Sequence, residues 1–363
     1  MTIDDLALTL HPELGCRTAI HLLECFGSAE AVFAASAGEL VRRAELKPAL
    51  ARSLCRREYH QAAERELAFC ERNRIRPVAA GDESYPRRLL ECADYPHVIY
   101  LKGGPELSGG HWLSVVGTRK ATPYGQKMCD RLIGELSALF PDLVVVSGLA
   151  YGIDVAAHRA AMQHGVRTVA VLGHPLTHIY PQAHTETARR IVSLGGTLIS
   201  EYPSTARPDK AGFVQRNRLI AALSGALVVV EAKEKSGTMS TVSHAERYGK
   251  PVFAVPGSIY SPNSAGTNGL LRDGRARAVC SAADLLGPLG LRRQSAAAVT
   301  AKQPEPLSEN ERKVLSCIGP QPLGIEELCV RSGLPTAVLL GTLMKLELSG
   351  RVLCMPGKRY VIK

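Results

Sequence analysis

Residues 143–173 read LVVVSGLAYGIDVAAHRAAMQHGVRTVAVLG: an apolar run, a glycine-containing turn, an amphipathic segment and a second apolar run. Continuous runs of valine and leucine are typical of strands in a parallel sheet that is covered by helices on both faces. The amphipathic segment between the two runs is long enough to form a helical crossover. These residues therefore predict a strand–helix–strand unit whose two strands are parallel.

The same alternation continues on both sides of this unit. The predicted strands are Leu113–Val116, Leu143–Ser147, Thr168–Leu172, Thr197–Ser200, Ala226–Glu231 and Val252–Val255. The predicted helices between them are Pro123–Phe140, Ile153–His164, Ala183–Leu194, Gln215–Leu223 and Met239–Tyr248. This order predicts an α/β fold over residues 96–286, with a Rossmann-like, doubly wound, mostly parallel sheet.

The flanking segments have different patterns. Residues 1–95 contain apolar residues at helical spacing interrupted by turn residues, which predicts a small N-terminal helical, SAM-like domain. Its longest predicted helix is Ala51–Asn73, and its net charge favours a scaffold or protein-contact role. Residues 287–306 contain Gly-Pro, Arg-Arg, an alanine run and two further prolines, and predict a linker.

The last segment, residues 307–363, has the pattern of a winged-helix domain. A capping box at Ser308 and Glu311 predicts the first of three helices, and a hairpin is predicted around Pro356-Gly357. The third predicted helix, Thr336–Leu348, is mainly apolar and has a single lysine. Reading base edges in a major groove requires basic or amide side chains. We therefore expect this domain to contact protein or to bind DNA weakly.

The charge distribution indicates a polyanionic partner. The chain has 44 basic and 34 acidic side chains, a net charge of +10. Residues 1–100 have 13 basic and 15 acidic side chains, whereas residues 101–300 have 22 and 13. A basic excess within one domain is typical of proteins that bind nucleic acid, although a solvated basic surface gives the same count.

Composition also excludes several classes of protein. A hydrophobic share of 45% is that of a globular chain. No segment has the run of about 20 apolar residues that spans a bilayer, and the first residues lack the features of a signal peptide. We therefore expect a cytoplasmic protein without a membrane partner. The ten cysteines are scattered without any Cys-x-x-Cys pair, so we expect free and mostly buried thiols.

The candidate site lies where the predicted strands end, because ligands of open α/β sheets bind beyond the carboxyl ends of the strands. Glycine-containing turns with Arg119, Lys120, Lys233 and Lys235 follow two of the strands. Glycines let backbone N–H groups approach an anion, and a following helix N-terminus adds its positive end. Gln215–Arg218 is predicted to open a helix, where two arginines could bind phosphate oxygens or be solvated or salt-bridged. The pattern predicts an edge that binds several phosphates.

Standard catalytic and cofactor motifs are absent from the sequence. There is no Gly-x-Gly-x-x-Gly, Walker A, His-Glu-x-x-His or Gly-x-Ser-x-Gly motif. His174, His178 and His184 lie in a proline-containing segment without a nearby thiol, so we interpret them as solvated loop histidines and predict neither a metal nor a cofactor.

The ordered motifs of the central domain resemble those of the DNA-processing protein A (DprA/Smf) family. They are Ser114-Val-Val-Gly-Thr-Arg119, Ser147-Gly-Leu-Ala-Tyr-Gly-Ile-Asp154 with Ala157-His158, Ala170-Val-Leu-Gly173, Tyr180-Pro181, Ser200-Glu-Tyr-Pro203, Arg216-Asn-Arg218, Ser236-Gly-Thr238 and Val255-Pro-Gly257. The flanking helical and winged-helix segments also look like that family.

This resemblance implies a non-catalytic single-stranded DNA-binding protein. It would protect incoming strands and load the RecA recombinase during natural transformation, acting as a homodimer. Together, resemblance and strand-end chemistry give the candidate DNA-binding residues Arg119, Lys120, Ser147, Gly148, Arg216, Asn217, Arg218, Lys233, Ser236, Gly237 and Thr238. The sequence departs from the family pattern at His174-Pro175, at Gln182 with His184, and at Val214-Gln215.

Two other functions remain open from the sequence. A nucleotide-monophosphate phosphoribohydrolase could use the Ser236-Gly-Thr238 turn with Glu201, Glu231 or Glu246 orienting a water molecule, although the Pro-Gly-Gly that precedes Gly-Thr in such enzymes is missing. A transcription regulator could act through the winged helix, although its third predicted helix is apolar.

Overall fold

The computed structural model describes residues 1–290 except 105, 106, 108 and 288, and residues 307–362 except 319–321, 350 and 356. The chain divides into two compact units, Met1–Arg292 and Arg293–Lys363. The predicted linker, residues 287–306, lies outside the described residues except for 287, 289 and 290.

A nine-stranded sheet forms the centre of the first unit, counted over the described residues. Its strands are β1 Arg76–Ala79, β2 Val98–Gly103, β3 His111–Val116, β4 Leu143–Ser147, β5 Arg167–Leu172, β6 Thr197–Ser200, β7 Ala226–Val229, β8 Val252–Ala254 and β9 Arg277–Ala278. They are ordered β1-β2-β6-β5-β4-β3-β7-β8-β9, and the pairs from β6 to β9 are parallel. The predicted Rossmann-like, mostly parallel sheet is confirmed.

The strand order reverses between β3 and β7. These two strands pair in parallel from Leu113 beside Ala226 to Val116 beside Val229. Each successive strand from β3 to β6 is added on one side, whereas β7, β8 and β9 are added on the other. The connections that leave β3 and β7 therefore diverge, and a crevice opens at their carboxyl ends.

The helices of this unit cover the sheet on both faces. They are α1 Ile3–Leu10, α2 Cys16–Phe26, α3 Ala29–Ala34, α4 Ala37–Ala44, α5 Pro48–Cys55, α6 His60–Arg72, α7 Arg87–Leu90, α8 Pro123–Leu139, α9 Ile153–Gln163, α10 Thr185–Ser193, α11 Lys210–Leu223, α12 Gly237–Arg247 and α13 Ala265–Arg272. Along β4, Val145 belongs to the same buried cluster as Leu132 of α8, while Val144 and Val146 belong to that of Leu219 of α11. Both faces are apolar because both are buried.

Residues 1–95 are packed against the sheet within the first unit. Leu22 and Leu54 of the N-terminal helices share a buried cluster with Tyr100 of β2 and Leu198 of β6. The segment also supplies β1, which the purely helical prediction missed. The single helix predicted over residues 51–73 is wrong, because a turn separates α5 from α6 and Arg57 within it has a φ of 55°.

The second unit has the winged-helix order, which confirms that prediction. Its elements are α14 Glu309–Cys317, β10 Leu323–Gly324, α15 Ile325–Ser332, α16 Thr336–Leu348, β11 Val352–Met355 and β12 Arg359–Ile362. The strands are ordered β10-β12-β11. Val314, Leu328 and Leu343 contribute one residue each from the three helices to a common core.

The ten cysteines are free thiols, as expected from their spacing. Only Cys70, Cys92 and Cys129 are buried, so the expectation that most would be buried is wrong. Within the described ranges, no helix combines the length and the apolar character that a membrane-spanning helix needs.

His158 anchors α9 to the sheet and remains neutral. It has no exposed surface, and its Nδ1 lies 2.7 Å from Thr168 Oγ1, which donates to the carbonyl oxygen of Val145. Burial, together with the positive charge of Arg216, lowers the pKa of His158 to about 3. Since the unfolded chain binds this proton near pH 6.5, the stability associated with a neutral His158 is lost as pH falls below that value.

We expect His158→Gln to flatten the pH dependence of unfolding. Below pH 6.5, His158 binds a proton in the unfolded chain but not in the folded one. This difference lowers the free energy of unfolding by about 1.4 kcal/mol for each unit by which the pH falls. The wild type should therefore lose about 2 kcal/mol more than the variant between pH 7 and pH 5, as measured by urea denaturation. Equal losses in both proteins would contradict a buried neutral histidine.

Candidate functional site

A groove of about 600 Å³ lies at the carboxyl ends of β3 and β7, where the strand order reverses. Its walls come from the turn after β3, the first half of α11 and the turn between β7 and α12. Its polar and aromatic lining residues are Thr118, Arg119, Lys120, Asp154, Tyr180, Lys210, Phe213, Arg216, Asn217, Lys233, Ser236, Thr238 and Thr241. Eight of the eleven predicted site residues line this groove: Arg119, Lys120, Arg216, Asn217, Lys233, Ser236, Gly237 and Thr238.

The turn after β3 is held by Glu231. The carbonyl oxygen of Glu231 accepts from the Thr118 N–H at 2.6 Å, and its carboxylate accepts from the Thr122 N–H and hydroxyl at 2.9 and 2.6 Å. A Cβ at Gly117 would come within 2.6 Å of the Ile153 side chain and 2.8 Å of the Glu231 carbonyl, so only glycine fits there. The turn is thus fixed, and Arg119 and Lys120 project from it as exposed cations.

The turn after β7 leads into α12 and provides no side-chain cap for the first N–H groups of that helix. Ser236 precedes the first residue of α12, but its hydroxyl does not cap the helix. Its Oγ is buried without a hydrogen-bond partner among the described residues. The first N–H groups of a helix lack intrahelical partners and carry a partial positive charge. Together with Lys233 on the same turn, this end of the groove suits an anion. Lys235 is exposed but does not line the groove.

Arg216 lies at the bottom of the groove with its guanidinium buried. It is 4% exposed, and its Nη1 donates to the carbonyl oxygens of Gly148, at 2.8 Å, and of Val171. Burial lowers the pKa of Arg216 to about 10, although the nearby negative charge of Asp154 acts in the opposite direction. Burial also raises the pKa of Asp154, which the charge of Arg216 and backbone hydrogen bonds oppose. The charges of these two buried groups partly compensate each other.

Ser147 and Gly148 support this pair and do not line the groove. The Ser147 hydroxyl donates to the carbonyl oxygen of Val115 at 2.6 Å, which links β4 to β3. A Cβ at Gly148 would lie 2.6 Å from the guanidinium of Arg216 and from the carboxylate of Asp154. Their contribution to the site is therefore the space and the carbonyl that Arg216 requires.

Arg218 points away from the groove, which corrects the expectation that it acts beside Arg216. Helix α11 begins at Lys210, capped by Asp209, whose carboxylate accepts from the Gly212 N–H at 2.6 Å. The two arginines therefore lie within the helix, two residues and about 200° apart. Arg218 is buried in an ion pair with Glu201, each side chain 6% exposed, and its Nη2 lies 3.6 Å from the Cys16 sulfur.

The earlier helix start brings two unpredicted residues to the groove. Lys210 is exposed on the first turn of α11, and Phe213 on the next turn is half-buried. The Phe213 ring lies 5.4 Å from that of Tyr180, which is 54% exposed. Asp209 is a helix-capping residue type, so the sequence contained a signal for this start that the prediction at Gln215 missed.

Two of the three histidines are buried, so interpreting them as solvated loop residues is wrong. His174 Nδ1 donates to the Pro175 carbonyl oxygen at 2.9 Å, and its Nε2 accepts from the Tyr180 N–H. His184 Nδ1 donates to the Leu149 carbonyl oxygen at 2.8 Å. These contacts hold the segment that positions Tyr180, and only His178 is exposed. No cluster of three or more metal-ligating side chains occurs among the described residues.

The acidic side chains near the strand ends are engaged elsewhere. Glu201 pairs with Arg218, Glu231 holds the turn after β3, and Glu246 accepts two hydrogen bonds of 2.8 Å from Arg275. None of the three lines the groove. Arg119, Lys120, Lys210 and Lys233 thus surround a groove whose one lining carboxylate, Asp154, faces Arg216. Chemically, this arrangement favours a ligand with several negative charges.

Comparisons with known proteins agree with this architecture. A family model described as DNA recombination-mediator protein A matches residues 76–290, and one described as DprA winged helix domain matches residues 298–358. Protein Smf of Escherichia coli is 32% identical over 302 residues, covering 82% of this chain and 80% of that protein.

Two solved structures are also similar. DNA processing protein A (DprA) of Streptococcus pneumoniae is 31% identical with a TM-score of 0.68, covering 79% of this chain and 98% of that one. The DNA processing protein A of Helicobacter pylori, whose structure gives insights into its unique single-stranded DNA binding mode, is 30% identical with a TM-score of 0.53. That match covers 59% of this chain and 95% of that one. The resemblance noted in the sequence is confirmed, and the chain belongs to the DNA-processing protein A (DprA) family.

Proposed function

We propose that this protein binds single-stranded DNA in the strand-end groove. The observation that carries the proposal is the convergence of Arg119, Lys120, Lys210 and Lys233 with the start of α12 at the point where the strand order reverses. Contacts of this kind neutralise several phosphates without reading sequence. The single-stranded DNA binding of the Helicobacter pylori relative supports the same ligand here.

Aromatic side chains on one wall favour a single strand over a duplex. Phe213 and Tyr180 lie beside each other and line the same groove as the four cations. Bases of a single strand are free to stack on such rings, whereas bases of a duplex are stacked on one another. We propose that phosphates contact the lysines and Arg119 while one or two bases contact this aromatic pair, with little sequence preference.

At the cellular level, we propose that the protein acts in the cytoplasm as a homodimer that protects incoming strands during natural transformation. It would also load RecA recombinase onto those strands. The family description as a recombination mediator supports the recombination role. Strand protection, RecA loading and dimerisation rest on the sequence resemblance.

We expect Arg119→Ala and Lys233→Ala to weaken binding to oligo-dT, by roughly tenfold or more each, because each removes a charge-assisted contact. The slope of log affinity against log salt should decrease by about 0.7 per variant, the value for one phosphate on a single strand. Fluorescence anisotropy across a salt series measures both quantities. The control is Arg189→Ala, which removes an exposed charge on α10 that does not line the groove. Unchanged slopes for both groove variants would contradict the proposal.

Arg218→Ala is unsuitable for this purpose. It would leave the buried Glu201 carboxylate without its ion-pair partner, a change that costs about 3–5 kcal/mol of stability. A loss of DNA binding in that variant would therefore report on folding.

Single-strand binding should not require the winged-helix unit. Every residue of the groove lies between positions 116 and 241, within the first compact unit. We expect a chain ending at Arg292 to bind oligo-dT within about twofold of the full chain, because no groove contact is removed. Gel shifts with single- and double-stranded oligonucleotides measure this, and the duplex arm reports whether residues 293–363 contribute to duplex binding. A large loss of single-strand affinity would contradict the placement of the DNA-binding site in the groove.

The alternative is a nucleotide-monophosphate phosphoribohydrolase. Such an enzyme needs a carboxylate near the phosphate to orient a water molecule, but Glu201, Glu231 and Glu246 are engaged outside the groove. We propose that the protein acts by binding, without turnover of nucleotides. Incubation with AMP should yield no free adenine by chromatography, and catalytic release of adenine would favour the enzyme.

A further inference from the structure

A second cavity of about 450 Å³ adjoins the groove and shares Arg119 and Lys120 with it. Its other lining residues come mainly from α8 and α9, so we call it the α8–α9 cavity. The two cavities therefore lie on either side of the turn that carries Arg119 and Lys120. None of the predicted site residues other than these two lines it.

The lining of the α8–α9 cavity suits a nucleobase. Small apolar side chains, including Ala156 and Ala160 of α9, also line it, while Gln126 and Gln163 add amides. A base has a flat apolar face and a hydrogen-bonding edge, and it is commonly bound by aromatic and amide side chains together. Tyr151 supplies the aromatic ring and is 48% exposed.

The Tyr151 ring is packed on one side without any ligand. Its ring packs edge-on against His184 at 4.9 Å, and His184 is buried and donates to the Leu149 carbonyl oxygen. The next residue, Gly152, has a φ of 80°, and a Cβ there would lie 2.1 Å from the Thr118 carbonyl oxygen. The backbone beside Tyr151 therefore lies directly against the turn that carries Arg119. A ring that already packs on one side loses less conformational entropy when a base stacks on its exposed side.

The charge of the cavity is also appropriate for a phosphate. Arg159 is exposed on α9 and joins Arg119 and Lys120 in the lining. Asp130 is the one carboxylate there, and its Oδ1 lies 2.9 Å from Nε2 of His164. Three cations against one hydrogen-bonded carboxylate give the lining a positive balance, as in the groove.

We propose that the α8–α9 cavity is a second nucleotide subsite, which takes the part of a single strand that extends beyond Arg119 and Lys120. In it, a base stacks on Tyr151 and a phosphate contacts Arg159. This inference rests on the proposed function of the groove, because the two sites share one strand.

The test compares oligo-dT strands of increasing length, from about 4 to about 20 nucleotides, bound to the full chain. Short strands occupy the groove alone, whereas longer strands also reach the cavity. Tyr151→Leu should weaken binding of long strands by roughly 5- to 100-fold, the range for losing one base stack, and leave short strands unchanged. Tyr151→Phe, which keeps the ring, should bind both as the wild type does.

Arg159→Ala should reduce the salt slope by about 0.7 for long strands only. The matched charge control is Arg189→Ala, which should bind strands of every length as the wild type does. Melting temperatures of Tyr151→Phe, Arg159→Ala and Arg189→Ala should remain at the wild-type value, since the ring is kept in the first and the two arginines are exposed. Tyr151→Leu also loses the ring contact with His184, so its binding is measured well below its own melting temperature.

The outcomes separate this inference from the function on which it rests. If strands of every length bind the wild type and depend on Arg119, but Tyr151→Leu and Arg159→Ala bind long strands normally, the second subsite is overturned while the groove remains. If no strand binds, or binding does not depend on Arg119 and Lys233, the proposed function itself fails. Length-dependent losses in both variants, with Tyr151→Phe unaffected, support the subsite.

Discussion

The buried guanidinium of Arg216 is the interaction on which the site depends. It joins α11 to the carboxyl ends of β4 and β5 through the carbonyl oxygens of Gly148 and Val171, beside the carboxylate of Asp154. A charge taken out of water must be compensated by partners, or the structure rearranges. This requirement explains the glycine at position 148, where any Cβ would collide with both charged groups.

Helix α11 is fixed to the fold from opposite sides. Arg216 attaches it at the groove through two carbonyl oxygens, and Arg218 attaches it to Glu201 beyond β6 in a buried ion pair. With both sides held, the first turns of the helix present Lys210 and Phe213 to the groove in a defined orientation. Ligand-binding side chains on a rigid element need less ordering when a ligand arrives, and a groove of this kind binds a flexible strand at a smaller entropic cost.

Two acidic residues contribute to the site by holding its supporting elements from outside the groove. Glu231 holds the turn of Arg119 and Lys120 through hydrogen bonds to Thr118 and Thr122, and Glu201 neutralises Arg218. Asp154, beside Arg216, is therefore the one carboxylate among the residues that line the groove. The same turn separates the groove from the α8–α9 cavity, so one fixed loop presents its two cations to both.

The amino-acid sequence alone indicated the parallel strands β3 to β8, because apolar runs such as Leu143–Ser147 are typical of strands buried on both faces, and it placed the glycine turns at their ends. It did not indicate β1, β2 and β9, which complete the sheet. Its ordered motifs also indicated the family. Only the tertiary structure decided which way Arg216 and Arg218 point, because side-chain direction follows the phase of the helix, and that phase depends on where α11 begins. It also decided the burial of His174 and His184 and the packing of residues 1–95 against the sheet. Burial depends on contacts between residues far apart in the chain, and local patterns of residues do not contain that information.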